Sequence, residues 1–291
     1  MASPVCRKFI WKARDYSLEL GGRTLVMGIV NVTPDSFSGD GVLAGGKQEK
    51  IPGMAYALKL IRAGADILDI GGASSRPGST PPGCKEEAQR VVPLIKALVA
   101  TVPVPVSVDT ASVGVAREAL KAGASIVNLI QGTPADRRLL ALVAESGAGL
   151  VLMHRRGTSR TMQLPGKTHY RDVVKEVKAE LELALEQCLV AGITKDHIVL
   201  DPGIGFSKVP EQNLEILRRL DEFLSCGYPV LVGTSRKSFI GKVLGVAEKR
   251  RLVGTVVTVA TAVMSGAHIM RVHDVKVMKQ AALMADAIRA A

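Results

Sequence analysis

Several polar side chains stand at or just beyond the ends of short aliphatic runs: Asn31, Asp69, Asp109, Asn128, His154, Asp201, Lys237, Arg271 and His273. Asp109, Asn128 and Asp201 offer acceptors and an amide, a set that suits a flat heterocycle with N–H donors on one edge. Lys237 can donate to a ring nitrogen or carbonyl. Arg271, His273 and Asn31 suit a phosphate: arginine forks onto it, and the asparagine oxygen can ligate Mg²⁺. The turn Ser235-Arg-Lys-Ser238 opens a helix, so its backbone N–H groups can receive an anion. Taken singly, each has a plainer reading. Asp109 could be the N-cap of the next helix. Arg271 could be solvated, and His154 reads best as a core histidine satisfied by a backbone carbonyl. Together they would converge on one mouth.

The elements that must position them follow from the apolar runs. These are Thr24–Val30, Ile67–Ile70, Val102–Val108, Ile126–Ile130, Gly149–Met153, Ile198–Leu200, Pro229–Val232 and His268–Val272. They are continuous rather than alternating, as in parallel strands covered on both faces. Between them lie helical patterns such as Val173, Val177, Leu181, Ala184, Cys188 and Leu214, Leu217, Leu220, Leu224. Val113, Ala116 and Leu120 form a shorter example. Strand and helix alternate eight times, which predicts a (β/α)8 barrel whose functional groups sit at the strand C-termini. A doubly wound sheet is the alternative, because strand order is not readable from sequence. Residues 1–23 precede the first repeat, and Phe9–Ala13 with Ser17–Leu20 predict a small hairpin closing the barrel bottom. No linker divides the chain, so residues 1–291 read as one domain.

Two connections, Thr33–Lys50 and Gly71–Cys84, are rich in Gly, Ser and Pro and long for βα loops. Both leave the same face, as candidate active-site lids or as surface insertions. Leu252–Met270 holds no Lys, Arg, Asp or Glu, but its Gly, Thr, Ser and His content predicts a buried helix and strand rather than a membrane span.

The net charge of +11 implies an anionic partner without naming it. Aromatic content of only 3% disfavours a base-stacking nucleic-acid binder. Arg155, Arg156, Arg160 and Lys167 form a basic loop, which reads as a solvated face. Cys6, Cys84, Cys188 and Cys226 form no CxxC, so reduced thiols in the cytoplasm are the simpler reading. Gly203-Ile-Gly205-Phe-Ser-Lys208 is only a weak dinucleotide signal, since the third glycine is missing.

Longer motifs are more specific. They are Met27-Gly-Ile-Val-Asn-Val-Thr-Pro-Asp-Ser-Phe-Ser38, Asp69-Ile-Gly-Gly-Ala-Ser-Ser-Arg-Pro-Gly78, Ser107-Val-Asp-Thr110, Asp201-Pro-Gly-Ile-Gly-Phe206, Ser235-Arg-Lys-Ser238 and Arg271-Val-His-Asp274. In this order they resemble the dihydropteroate synthase family, from about Leu25 to the end. The resemblance implies a pterin-binding barrel, Mg²⁺ and a cytoplasmic homodimer, which apolar Val277, Met278, Ala281, Ala282 and Ala285 of the terminal helix, Val275–Ala290, could serve; no nucleic-acid or membrane partner is expected. It implies condensation of 6-hydroxymethyl-7,8-dihydropterin diphosphate with p-aminobenzoate, and a target of sulfonamides or resistance to them. Carried over by position, Asp109, Asn128, Asp201 and Lys237 would hold the pterin. Asn31, Asp69, Arg271 and His273 would take the diphosphate, with Asn31 on its Mg²⁺. Phe37, Ser75, Arg76, Pro77, Phe206 and Ser238 would enclose p-aminobenzoate. Lys237, Arg271 and His273 would be the catalytic groups.

Four positions depart from the family pattern. Ala73 replaces an acid and Ser75 a threonine in the second loop; Leu129 replaces an acid after Asn128, and Arg155 a methionine. They leave room for a catalytically silent paralogue. A corrinoid-type methyltransferase shares the barrel but would have little use for the Ser-Arg-Lys-Ser and Arg-Val-His motifs.

Overall fold

The computed structural model describes residues 7–33, 51–74, 78–130 and 135–291. Two strands come first, β1 (Phe9–Ala13) and β2 (Tyr16–Leu20), paired antiparallel with Phe9 opposite Leu20. Then follow β3 (Leu25–Asn31), α1 (Met54–Arg62), β4 (Ile67–Gly71), α2 (Cys84–Val99), β5 (Val106–Asp109) and α3 (Val113–Lys121). The chain continues through β6 (Ile126–Leu129), α4 (Arg137–Ser146), β7 (Gly149–Met153), the short α5 (Pro165–Thr168), α6 (Val173–Val190) and β8 (Ile198–Asp201). It ends with α7 (Pro210–Arg218), β9 (Leu231–Val232), α8 (Ser238–Leu244), α9 (Leu252–Met264), β10 (Ile269–Val272) and α10 (Val275–Ala290). Eight parallel strands run in the order β8-β7-β6-β5-β4-β3-β10-β9. A single parallel bridge, Leu200 to Val230, links the two ends. The sheet is therefore a nearly closed barrel, not an open doubly wound sheet.

Strand side chains alternate between two environments. Val26, Val30, Leu68, Ile70, Val108, Leu129 and Leu152 face the helices in the main core. Met27, Ile67, Ile126, Val151 and Ile269 point inward, against Trp11, Ala13 and Leu20 of the hairpin. Trp11 is buried and its indole N–H donates to the His197 carbonyl at 3.0 Å. A Cβ on Gly149 would stand 3.1 Å from that indole ring, so glycine gives the hairpin room to plug the bottom. By the same period of two, Asp69, Asp109, Asn128, Asp201 and Arg271 point inward, nearer the C-terminal ends.

Three sequence expectations change. Leu214 is exposed, because α7 buries the face of Asn213, Ile216 and Leu217; beyond Arg218 a 3₁₀ segment, Leu220–Cys226, takes over. The buried set then advances by threes, Leu217, Leu220 and Phe223, as a 3₁₀ turn requires. Leu252–Met270 forms α9 and β10 as expected, but α9 is only half-buried, with Leu252, Val253 and Val257 exposed. On α10 the apolar residues expected to serve a dimer turn inward: Met278, Ala282 and Ala285 are buried, and Val277 and Ala281 pack on the same core. Leu283, Met284 and Ile288 are the exposed apolar residues there. No helix among the described residues is long and apolar enough to cross a membrane.

Candidate active site

The inward polar side chains meet at the C-terminal mouth. Arg271, from β10, donates from Nε to Asp69 Oδ2 at 2.6 Å and from Nη2 to Asp109 Oδ2 at 2.5 Å. Asn128 Nδ2 donates to the same Asp69 oxygen at 3.0 Å. Asp69 is fully buried, so it braces Arg271 and Asn128 from below the mouth. The other carboxylate oxygens, Asp69 Oδ1 and Asp109 Oδ1, are buried with no hydrogen-bond partner among the described residues. An unpaired buried acceptor is costly, and a ligand N–H would satisfy it.

Electrostatics follow from burial. It raises the Asp109 carboxyl above the ordinary range, although Arg271 opposes the shift. It raises Asp201 likewise, while the Gly203 N–H donates to Asp201 Oδ1 at 2.8 Å and pulls the other way. Lys237 is lowered by burial and by Arg271. Burial works against the Arg271 charge too, yet Asp69 and Asp109 hold it above its usual range. His273 is pushed down to about 3 by burial and by Arg236 and Arg271. It is therefore a neutral imidazole, not a second cation. Its backbone N–H and Nδ1 both meet Ser235 Oγ, at 3.1 and 3.0 Å. If Ser235 accepts the first and donates its hydroxyl to Nδ1, the proton falls on Nε2, free to donate.

The glycines of the Asp201–Phe206 turn have a steric purpose rather than a dinucleotide one. Gly203 has φ 68°, and a Cβ there would come within 1.9 Å of the His154 carbonyl. A Cβ on Gly205, at φ 84°, would meet Lys237 Cδ at 2.9 Å. The close approach sets Lys237 Nζ 3.9 Å from the centroid of the Phe206 ring. Ser238 starts α8 and shares a small cleft with Gly205, Lys208, Asn213 and Lys242. Arg236 holds a left-handed backbone, φ 58°. Its guanidinium forks onto Asp274 at 2.7 and 3.0 Å, and Arg251 donates to its carbonyl at 2.8 Å. That pinned residue lies between Ser235 and Lys237 and fixes both.

Asn31 ends β3 and faces inward. A Cβ on Gly71 would stand 3.3 Å from Asn31 Oδ1 and 3.6 Å from Asp109 Oδ2, so the two side chains share one corner. No three His, Cys, Asp or Glu side chains among the described residues cluster as a metal cage. One hard oxygen at this corner still fits Mg²⁺, which takes few protein ligands and is held largely by substrate oxygens and water. Phe37, Ser75, Arg76 and Pro77, and most of the first long loop, lie outside the described residues. A cavity of about 460 Å³ at the opposite end, lined by Phe9, Ile10, Thr194 and Pro229, holds none of the mouth residues.

The family described as pterin binding enzyme matches residues 27–273. The chain is 44% identical over 270 residues to a dihydropteroate synthase of Synechocystis, covering 92% of this chain and 91% of the relative. The chain belongs to the dihydropteroate synthase family. Its fold superposes on the Yersinia pestis dihydropteroate synthase in complex with a sulfonamide drug, with a TM-score of 0.88 and 38% identity. That match covers 97% of this chain and 100% of the other. The Clostridium difficile dihydropteroate synthase, in the presence of pteroic acid, gives a TM-score of 0.84 at 42% identity over 92% of this chain and 98% of the other.

Within the dihydropteroate synthase pattern, the structure locates three of the departures. Leu129 is buried and faces the helix layer, away from the mouth. Ala73 is half-buried just beyond β4. Arg155 is buried, close enough to Asp109 for their charges to interact. Arg156 is turned onto Glu176 and Glu180 and lies over the Tyr170 ring at 3.9 Å. Two of the four residues of the supposed basic face thus point inward. His154 is a core residue, as expected, but its partners are side chains, Glu180 and Lys208, rather than a carbonyl. Glu180 and Lys208 carried no signal in the sequence, because their role depends on two elements meeting.

Proposed function

We propose that this chain catalyses the dihydropteroate synthase reaction, joining 6-hydroxymethyl-7,8-dihydropterin diphosphate to p-aminobenzoate with loss of diphosphate. The observation that carries the reading is the Asp69–Arg271–Asp109 clasp, with unpaired buried carboxylate oxygens beside an arginine fork. Asp109, Asn128 and Asp201 receive the pterin N–H edge, and Lys237 donates to a ring nitrogen or carbonyl. Arg271 and the Nε2–H of His273 hold the diphosphate, with Asp69 acting through Arg271. Phe206 and Ser238 line the p-aminobenzoate subsite, next to Lys237.

Asn31 would hold Mg²⁺, which supplies charge neutralisation on the diphosphate when bound. The chain's own residues do the rest. Arg271 stabilises charge gathering on the leaving diphosphate, from a half-buried position braced by Asp69 and Asp109 that needs no reorganisation. The pterin methylene can carry positive charge into its ring, so the bond to oxygen loosens before the weakly nucleophilic aniline nitrogen arrives. The nitrogen then forms the new C–N bond and releases its proton. No side chain becomes covalently attached. Positional isotope exchange in the diphosphate without p-aminobenzoate is the expected sign of this order.

We place the enzyme in the cytoplasm as a homodimer. Free thiols at Cys84, Cys188 and Cys226 and the exposed apolar residues of α9 and α10 support that reading. The deciding experiment is a coupled assay for diphosphate release with and without p-aminobenzoate. Release that depends on p-aminobenzoate, with dihydropteroate formed in equal amount, is expected. Pterin binding with no turnover would favour a silent paralogue instead.

A further inference from the structure

We propose that Lys208 is a positioning residue: its buried ammonium, fully engaged within the protein, fixes the turn that presents Phe206 and thereby sets the capture of p-aminobenzoate, although its side chain also borders the cleft beside Ser238. The inference rests on the reading above that Phe206 lines that subsite.

Lys208 is only 3% exposed, and its Nζ has three acceptors, each at 3.0 Å: His154 Nδ1, the Gly203 carbonyl and the Phe206 carbonyl. An ammonium has three N–H donors and no acceptor, so the tripod is complete. The protonation pattern is set from the far side. Glu180 Oε2 lies 3.0 Å from His154 Nε2, and an ionised carboxylate can only accept. His154 therefore carries its proton on Nε2 and offers a lone pair at Nδ1. Lys208 must then donate to all three partners.

The two halves of the turn differ in what else holds them. Asp201 is fixed by the barrel ladder: it pairs with Met153, and its carbonyl accepts from the His154 N–H at 2.9 Å. Gly203 is wedged against the His154 carbonyl. The second half has no strand partner. Gly205 N–H donates to Asn213 Oδ1 at 2.6 Å, Phe206 N–H to the Gly203 carbonyl at 3.1 Å, and Lys208 holds the Phe206 carbonyl. Loss of the ammonium would strand two buried carbonyls and a ring nitrogen. The turn would then move at Phe206, not at Asp201. The pterin side would be spared and the p-aminobenzoate side would not.

Steady-state kinetics on the full-length enzyme with both substrates varied separates these effects. Lys208→Met is expected to raise KM for p-aminobenzoate about tenfold, with KM for the pterin diphosphate changed less than about twofold. Lys208→Gln keeps two donors on its amide, and its KM for p-aminobenzoate should fall between. Should Lys208→Met not fold, the same split in Lys208→Gln decides. Equal rises in both KM values, or a lowered melting temperature with neither KM moved, would overturn the proposal, because Lys208 would then serve only the fold. Absence of condensation by the wild type would sink the functional reading itself, and this inference with it.

Discussion

The Arg271 guanidinium, on β10, reaches past β3 to the Asp69 carboxylate on β4 and meets it at 2.6 Å. Asp69 is fully buried, so the clasp holds the guanidinium's direction rather than adding charge to the surface. Asp69→Asn keeps the shape but gives up the carboxylate. We expect kcat/KM for the pterin diphosphate to fall about 100-fold, a loss of about 2.7 kcal/mol in transition-state stabilisation. Asp69→Ala leaves Arg271 and Asn128 with a missing partner and should cost about 3–5 kcal/mol of stability. Kinetics and urea unfolding measure the two. A normal kcat/KM in Asp69→Asn would show that Arg271 needs no brace.

Burial moves two groups at the mouth in opposite directions, Asp109 upward and Lys237 downward. In the proposed binding mode an ionised Asp109 accepts pterin N–H bonds, and that form is lost as pH falls through its raised value. The charged Lys237 is lost as pH rises through its lowered one. A bell-shaped profile of kcat/KM for the pterin diphosphate is therefore expected, with both limbs closer to neutrality than free side chains would give. In Asp109→Asn the acid limb should disappear while the alkaline limb stays. An acid limb that survives that change would assign it to another group.

The barrel was legible because its cause is local: continuous Val, Ile and Leu runs at regular spacing leave few alternatives. The inward set was legible too, since a period of two in β4 and β5 brings Asp69 and Asp109 to the same side. Arg271, by contrast, was readable only as a phosphate ligand. Its grip on Asp69 joins residues 202 positions apart, which no pattern in the chain announces. The neutral state of His273 depends on its burial and on Arg236 and Arg271 arriving beside it. On α10, periodicity found the apolar stripe at Met278, Ala282 and Ala285, but every amphipathic helix of a barrel spends such a stripe on its own core. Only packing could show that Leu283, Met284 and Ile288 are left over.

Those leftover side chains carry a prediction about assembly. Val253 and Val257 on α9 are 71% and 59% exposed, and Met284 on the neighbouring α10 is 64% exposed. Apolar residues grouped on adjacent helices are characteristic of a subunit interface. Sedimentation equilibrium should give a dimer mass for the wild type. The double variant Val257→Glu, Met284→Glu should sediment as a monomer with unchanged far-ultraviolet circular dichroism. A monomeric wild type would remove the assignment.

The Glu180 carboxylate gathers His154 Nε2 at 3.0 Å and Arg156 Nε at 2.9 Å, tying α6 to the segment after β7. Burial alone would raise its pKa, but the bonds from His154 and Arg156 bring it down to about 2, from an ordinary 4.5. A carboxyl depressed on folding stabilises the fold above its unfolded value, and that stability is lost as pH falls from there toward the folded value. Glu180→Gln should therefore cost about 2–3 kcal/mol near neutrality. The deficit should hold down to about pH 4.5 and then shrink steadily toward about pH 3. Urea unfolding of both proteins across that range reads it directly. A deficit that stays constant to the acid end would mean that the lost hydrogen-bond geometry, and not the charge, supplies the stability.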